Sequence, residues 1–103
     1  MSAQEVERDK IREQLLAKIG RADDLEALED ARVASLGRNG IITSLMKSVG
    51  QLEPQERKEA GRIYNSLKQE IIGALLQKLA YSYLHFIHII HTTFMHLNGL
   101  HLV

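Results

Sequence analysis

"LGRNGIITSLMKSVG", Leu36–Gly50, sets three glycines in fifteen residues of an otherwise helix-forming chain. An Asn-Gly step between alternating apolar and polar residues would signal a β-hairpin. No such alternation flanks Asn39-Gly40. Instead Ile42, Leu45, Met46 and Val49 follow the i, i+3, i+4, i+7 spacing of a short amphipathic helix. The stretch therefore reads as two helix stops around one short helix. Gly37 is placed to end the preceding helix in the left-handed conformation, Arg38-Asn39-Gly40 is a turn signal, and Gly50 closes the short helix. A G-x-x-G loop with a basic residue can also clamp a nucleic-acid backbone, but that module needs strands around the loop, and none is apparent. The glycine spacing and the Gly-Lys-Ser/Thr ending of a nucleotide-binding P-loop are missing.

Upstream, residues 4–19 predict a helix with Ile11, Leu15, Leu16 and Ile19 near one face and charge on the others, stopped at Gly20. Asp23, with Glu26 three residues on, forms a capping-box-like start for a second helix carrying Leu25, Leu28, Ala31 and Leu36. Downstream, Pro54 suits a first helical turn, where its missing N–H goes unnoticed. A long helix follows from about 54 to at least 79, with the apolar stripe Ala60, Ile63, Tyr64, Leu67, Ile71, Ala74 and Leu75. A stripe on so long a helix needs a partner helix. The predicted architecture is all-α: an antiparallel helical hairpin or coiled coil with a short helix near the turn.

At 103 residues the chain has room for one small domain, and with no cysteine it carries no thiolate or disulfide chemistry. The N-terminal "MSAQEVERDK" lacks the apolar core of a secretory signal. Net charge is zero, but residues 1–36 hold six basic and nine acidic side chains, and residues 37–78 hold seven basic and four acidic. After Lys78 there is no Asp, Glu, Lys or Arg, and all five histidines and four of the five aromatics lie there. So abrupt a change divides the chain at 79/80 into a helical unit, 1–79, and an apolar, His-rich tail, 80–103. The tail is long enough to span a bilayer, yet its histidines, Ser82, Asn98 and two threonines make it a poor spanning segment. It also fits translation past a gene break or in a shifted frame.

Three constellations bear on chemistry. Lys58 and Arg62 share the long helix's face opposite Ile63 and Leu67, with Asn65 and Gln69 beside them, while Arg57 and Lys68 flank the apolar stripe. Such a face can track a phosphate backbone without reading sequence, or it is an ordinary solvated face with a pair such as Glu59–Arg62. His85, His88 and His91 share a broad face, but no carboxylate or cysteine is near to complete or orient a metal site, so no metal is expected. No nucleophile–base arrangement is present, so no catalytic residue is assigned.

The run "LEALEDARVASLGRNGIITSLMKSVGQLEPQERKEAGRIYNSLKQEI" resembles the N-terminal region of the bacterial phenylalanyl-tRNA synthetase alpha subunit. The shared pattern is a Leu-Gly-basic-x-Gly corner, a short Leu-rich helix, and a Pro-x-Glu-Arg-x-x-Ala-Gly start to a long helix with Asn before Lys. Here these are Leu36, Gly37, Arg38 and Gly40; Leu45 and Gly50; then Pro54, Glu56, Arg57, Ala60, Gly61, Asn65 and Lys68. The resemblance covers roughly residues 4–79. It implies a helical arm, largely antiparallel coiled coil, that contacts tRNA, and it makes Arg38, Lys47, Arg57, Lys58, Arg62 and Lys68 the candidates for phosphate contact. It further implies a cytoplasmic protein. In the full-length family ATP, magnesium and phenylalanine are bound by a class II catalytic domain, and a beta subunit is the partner. None of that domain's motifs occurs here, so the resemblance implies a subunit truncated before its catalytic domain, without cofactor or small-molecule site and inactive alone. Two other readings are a helical hairpin that binds only protein, and a small protein held at a membrane through residues 79–103.

Overall fold

The computed structural model describes residues 1–99. Among them are four helices and no strand: α1 (Ala3–Gly20), α2 (Leu25–Leu36), α3 (Ile41–Val49) and α4 (Pro54–Leu97). The all-α expectation holds, and the elements begin and end close to where the glycines and Pro54 place them. α4 runs on to Leu97 without a break. Its 44 residues, at about 1.5 Å each, account for the molecule's long axis of 68 Å against 24 and 17 Å across.

The helix starts have identifiable causes. Ser2 Oγ accepts from the Glu5 N–H at 3.2 Å ahead of α1. At α2 the cap is Asp24, not Asp23: Asp24 has extended backbone, and its Oδ1 accepts from the Ala27 N–H at 2.7 Å. The capping box expected of Asp23 and Glu26 does not form: α2 begins at Leu25, which makes Asp24 the residue before the first turn, and Ala27, three residues on, has no side chain that could reach back. Replacing Asp24 with alanine should cost about 1 kcal/mol, read as a lowered urea midpoint at unchanged slope.

Three long-range contacts fix the arrangement. Tyr64 Oη donates to Glu7 at 3.4 Å, Arg12 pairs with Glu70 at 2.5 Å, and Lys78 Nζ donates to the Gly20 carbonyl at 3.1 Å. Positions rise together on both helices, so α1 runs parallel to α4. α2 runs the other way: Leu25, Leu28 and Arg32 lie against Leu75, Leu76 and Leu79. α2 and α4 thus form an antiparallel hairpin with α3 near its turn, and α1 lies alongside. α4 packs against each of the other three helices.

The core holds Ile11, Leu15 and Ile19 of α1; Leu28 and Ala31 of α2; Ile42 and Leu45 of α3; and Ala60, Ile63, Tyr64, Leu67, Ile71 and Leu75 of α4. Leu16, Leu36, Met46, Val49 and Ala74 are half-buried against it. Leu25 departs from its expected place: it is exposed, because nothing covers the groove it shares with Leu79 and Tyr83. Burial raises the Tyr64 phenol's pKa, and the Glu7 carboxylate it donates to pushes the same way. The buried Ser35 is satisfied within its own helix, donating to the Ala31 carbonyl at 2.8 Å.

The α2–α3 corner corrects one expectation. Gly37 ends α2 with φ −64° and ψ 174°, not in the left-handed region. Its reason for being glycine is space: an added Cβ would lie 2.5 Å from the Val33 carbonyl oxygen. Gly40, also with negative φ, would place a Cβ 2.6 Å from the Ser35 carbonyl. The two glycines let α3 start pressed against the end of α2. Thr43 Oγ1 then donates to the Gly37 carbonyl at 2.7 Å, and the Gly40 N–H donates to the same carbonyl at 2.9 Å.

Candidate nucleic-acid interface

The six sequence-predicted cations fall into two groups. Arg38 stands exposed in the corner before α3, and Lys47 is exposed in α3's last turn. Arg57, Lys58, Arg62 and Lys68 lie on α4, and all but the half-buried Lys68 are exposed. Lys58 and Arg62 project opposite the buried Ile63 and Leu67, as helical spacing requires. Arg38, Lys47, Lys58 and Lys68 make no side-chain hydrogen bond or ion pair among the described residues.

The remaining two are engaged. The Arg62 guanidinium forms a two-pronged contact with the Glu59 carboxylate, one N–H···O distance being 3.0 Å. The hydrogen bond from Arg62 holds the Glu59 carboxyl below its usual range and raises the guanidinium, so both stay charged across the neutral range. Glu5 of α1 adds further negative charge at Arg62. Arg57 Nε donates to the Leu52 carbonyl at 2.8 Å and so ties the α3–α4 connection to the first turn of α4. That tie has no sequence signature, since a carbonyl five residues back depends on how the loop folds.

Sequence reasoning also missed α1. The register with α4 brings Arg8 and Arg12 to a groove edged by Ser66 and Glu70, one turn beyond Arg62. Their i, i+4 spacing is legible in the sequence, but their placement beside α4 is not. Both are paired, Arg8 with Asp9 at 2.9 Å and Arg12 with Glu70 at 2.5 Å. Among the six candidates, the exposed and unpaired positive charge therefore lies on Arg38, Lys47 and Lys58.

On the far half of α4, His85, His88 and His91 are exposed, and Tyr81 stacks on His85 with ring centroids 6.2 Å apart. Among the described residues no three or more His, Cys, Asp or Glu side chains gather to hold a metal ion. His101 lies outside the described residues. No helix among the described residues is long and apolar enough to cross a membrane.

Against known proteins, the chain is similar to three phenylalanine–tRNA ligase alpha subunits, among others. It is 42% identical to that of Methylobacterium radiotolerans over 67 residues, covering 65% of this chain and 19% of the relative. With the Rhodospirillum rubrum subunit identity is 45% over 67 residues, covering 65% and 19%. With that of Geobacillus kaustophilus it is 42% over 71 residues, covering 69% and 21%. The chain thus spans about a fifth of the length of the curated relatives it matches. No solved structure gives a significant match. The sequence model described as "Aminoacyl tRNA synthetase class II, N-terminal domain" matches residues 23–81, more than half of the chain and the whole stretch that holds the corner, α3 and the packed part of α4. The chain belongs to the family of class II aminoacyl tRNA synthetase N-terminal domains.

Proposed function

We propose that this chain is a tRNA-binding helical arm, coiled-coil in character, which holds the tRNA phosphate backbone through Arg38, Lys47 and Lys58. Lys68 and Arg62 lie at the margins of that contact, and Arg57 shapes the loop beside it. One observation carries the reading: all six cations fall within residues 23–81, the part that matches a synthetase family, and Arg38, Lys47 and Lys58 stand exposed with no hydrogen-bond or ion-pair partner for their side chains among the described residues. The mechanism is electrostatic and shape-based. Cations on a rigid rod displace counterions from the backbone and read no base. In this reading the arm works in the cytoplasm as a fragment of a phenylalanine–tRNA ligase alpha subunit. Handling of ATP, magnesium and phenylalanine, and the contact with a beta subunit, belong to the four-fifths of such relatives that this chain does not span.

The test is tRNA affinity by fluorescence anisotropy as salt is raised from about 50 to 200 mM. Reversing Arg38, Lys47 and Lys58 to glutamate should weaken binding at least tenfold. It should also flatten the log–log salt slope by about one for each phosphate that is no longer neutralised. Glu59→Gln should act oppositely. By releasing Arg62 from a surface pair of roughly 0.2–1 kcal/mol, it should tighten binding by up to about fivefold. If tRNA binds the chain no better than it binds an unrelated helical hairpin of equal charge, the reading fails.

A further inference from the structure

The buried stripe of α4 ends at Leu75, but the helix continues for six more turns, and only the start of α2 and the turn before it lie alongside, near residues 76–86. From there a different pattern takes over. Leu76, Tyr83, Ile90 and Leu97 recur every seven residues, and Leu79 and Phe86 stand three residues after the first two. Only the third such position, Thr93, is polar. This is the a/d seam of a coiled coil carried for three heptads. His85, His88 and Thr92 lie away from it. Each of the six large apolar side chains is between 44% and 79% exposed.

We propose that this seam is covered by a second copy of the chain, with the two α4 helices pairing antiparallel through residues 76–97. Area supports the assignment. With Ile87 and Phe94 on its flank, the seam offers roughly 700–1,100 Å² per copy, counting about 150–250 Å² for a fully exposed large side chain. A stable interface needs about 800 Å² from each partner, and a monomer rarely leaves so much contiguous apolar surface open. A helix of some twenty residues with so little tertiary packing is also marginal in water, so the seam's own helicity calls for a partner.

Charge selects the partner and its direction. Residues 79–97 hold no Asp, Glu, Lys or Arg, so two copies meet without repulsion, and the seam offers nothing for a charged partner to pair with. The start of α2 sits beside the seam's lower end, where Asp23, Asp24 and Leu25 share a groove with Leu79, Tyr83 and Phe86. A parallel pair would bring four carboxylates from two copies together there. An antiparallel pair instead lays the partner's uncharged 93–97 turn against that end, where Leu25 is open to receive it. The resulting interface is two-fold symmetric and closed.

The full chain at tens of micromolar should show twice the 11.7 kDa chain mass by light scattering. Tyr83→Glu with Ile90→Glu should raise the dimer dissociation constant roughly a hundredfold or more, because carboxylates would be buried without partners. His88→Glu, off the seam, should leave it unchanged. A spin label on Gln77→Cys, in a chain with no other cysteine, should report a separation of about 30 Å, twice the rise from residue 77 to the midpoint of the seam. A monomeric wild type would overturn the proposal, as would a double variant still dimeric or labels side by side. A monomer that instead sediments with phosphatidylcholine vesicles would assign the seam to a lipid surface.

Discussion

Leu67→Ala should lose about 2–5 kcal/mol, a large share of the helical body's stability. Leu67 is fully buried at the middle of the stripe by which α4 holds the rest of the body. Deleting its side chain removes transfer energy and leaves a cavity that helices on both sides cannot both close. The body that depends on it has only about 75 residues. At roughly 0.05–0.15 kcal/mol per residue its whole stability is about 4–11 kcal/mol, so the loss takes much or all of it. Urea unfolding followed by circular dichroism reads the effect. A midpoint shift worth less than about 1 kcal/mol would mean that the body is not organised around α4. Leu97→Ala is the control: the same deletion at an exposed seam position should leave the body's own transition where it was.

The second large effect is expected at the corner. Gly40→Ala sets a Cβ 2.6 Å from the backbone of Ser35 and 2.9 Å from the Leu36 nitrogen. Backbone atoms cannot swing aside as a side-chain end can, so α3 must tilt away from the end of α2. The Gly40–Gly37 and Thr43–Gly37 hydrogen bonds then lengthen, and the cost should reach about 3 kcal/mol, the upper end for overpacking. Arg38 sits in this corner and Lys47 at the far end of the helix that would tilt, so on the proposed reading tRNA affinity should fall with stability. Gly73→Ala is the opposite case. Nothing lies within 4 Å of its added Cβ, and removing a helix-interior glycine should gain about 1 kcal/mol. If both substitutions move the unfolding midpoint in the same direction, close approach is not why Gly40 is glycine.

These two substitutions mark the border between local and global information. The helix class, the Asn-Gly corner, Pro54 and the stripe from Ala60 to Leu75 were legible because each rests on residues within one or two turns of one another. So was the Glu59–Arg62 pair, at i, i+3 on a helix face. Gly37 and Gly40 were legible as a corner but not as to cause. The left-handed conformation is a property of the residue alone, whereas what their missing side chains make room for is the backbone of α2 brought close by the fold. Asp23 and Asp24 were equally good caps by type, and the position where the backbone turns helical chose between them.

The candidate site divides in the same way. That Lys58 and Arg62 oppose Ile63 and Leu67 follows from 100° per residue. That Arg57 is tied to the Leu52 carbonyl, and that Arg12 reaches Glu70 fifty-eight residues away, does not. Helical periodicity reports which side of an element is apolar, and in this chain it settled the fold class and the open cationic face. It is silent on direction and register. Only the tertiary structure decided that α1 runs parallel to α4, which cations are neutralised across that contact, and that the apolar stripe is buried as far as Leu75 and left largely open beyond it. The physical reason is that an amphipathic face specifies burial, while the choice of what buries it is made by loop lengths, close backbone approach and the few polar groups that must find one another.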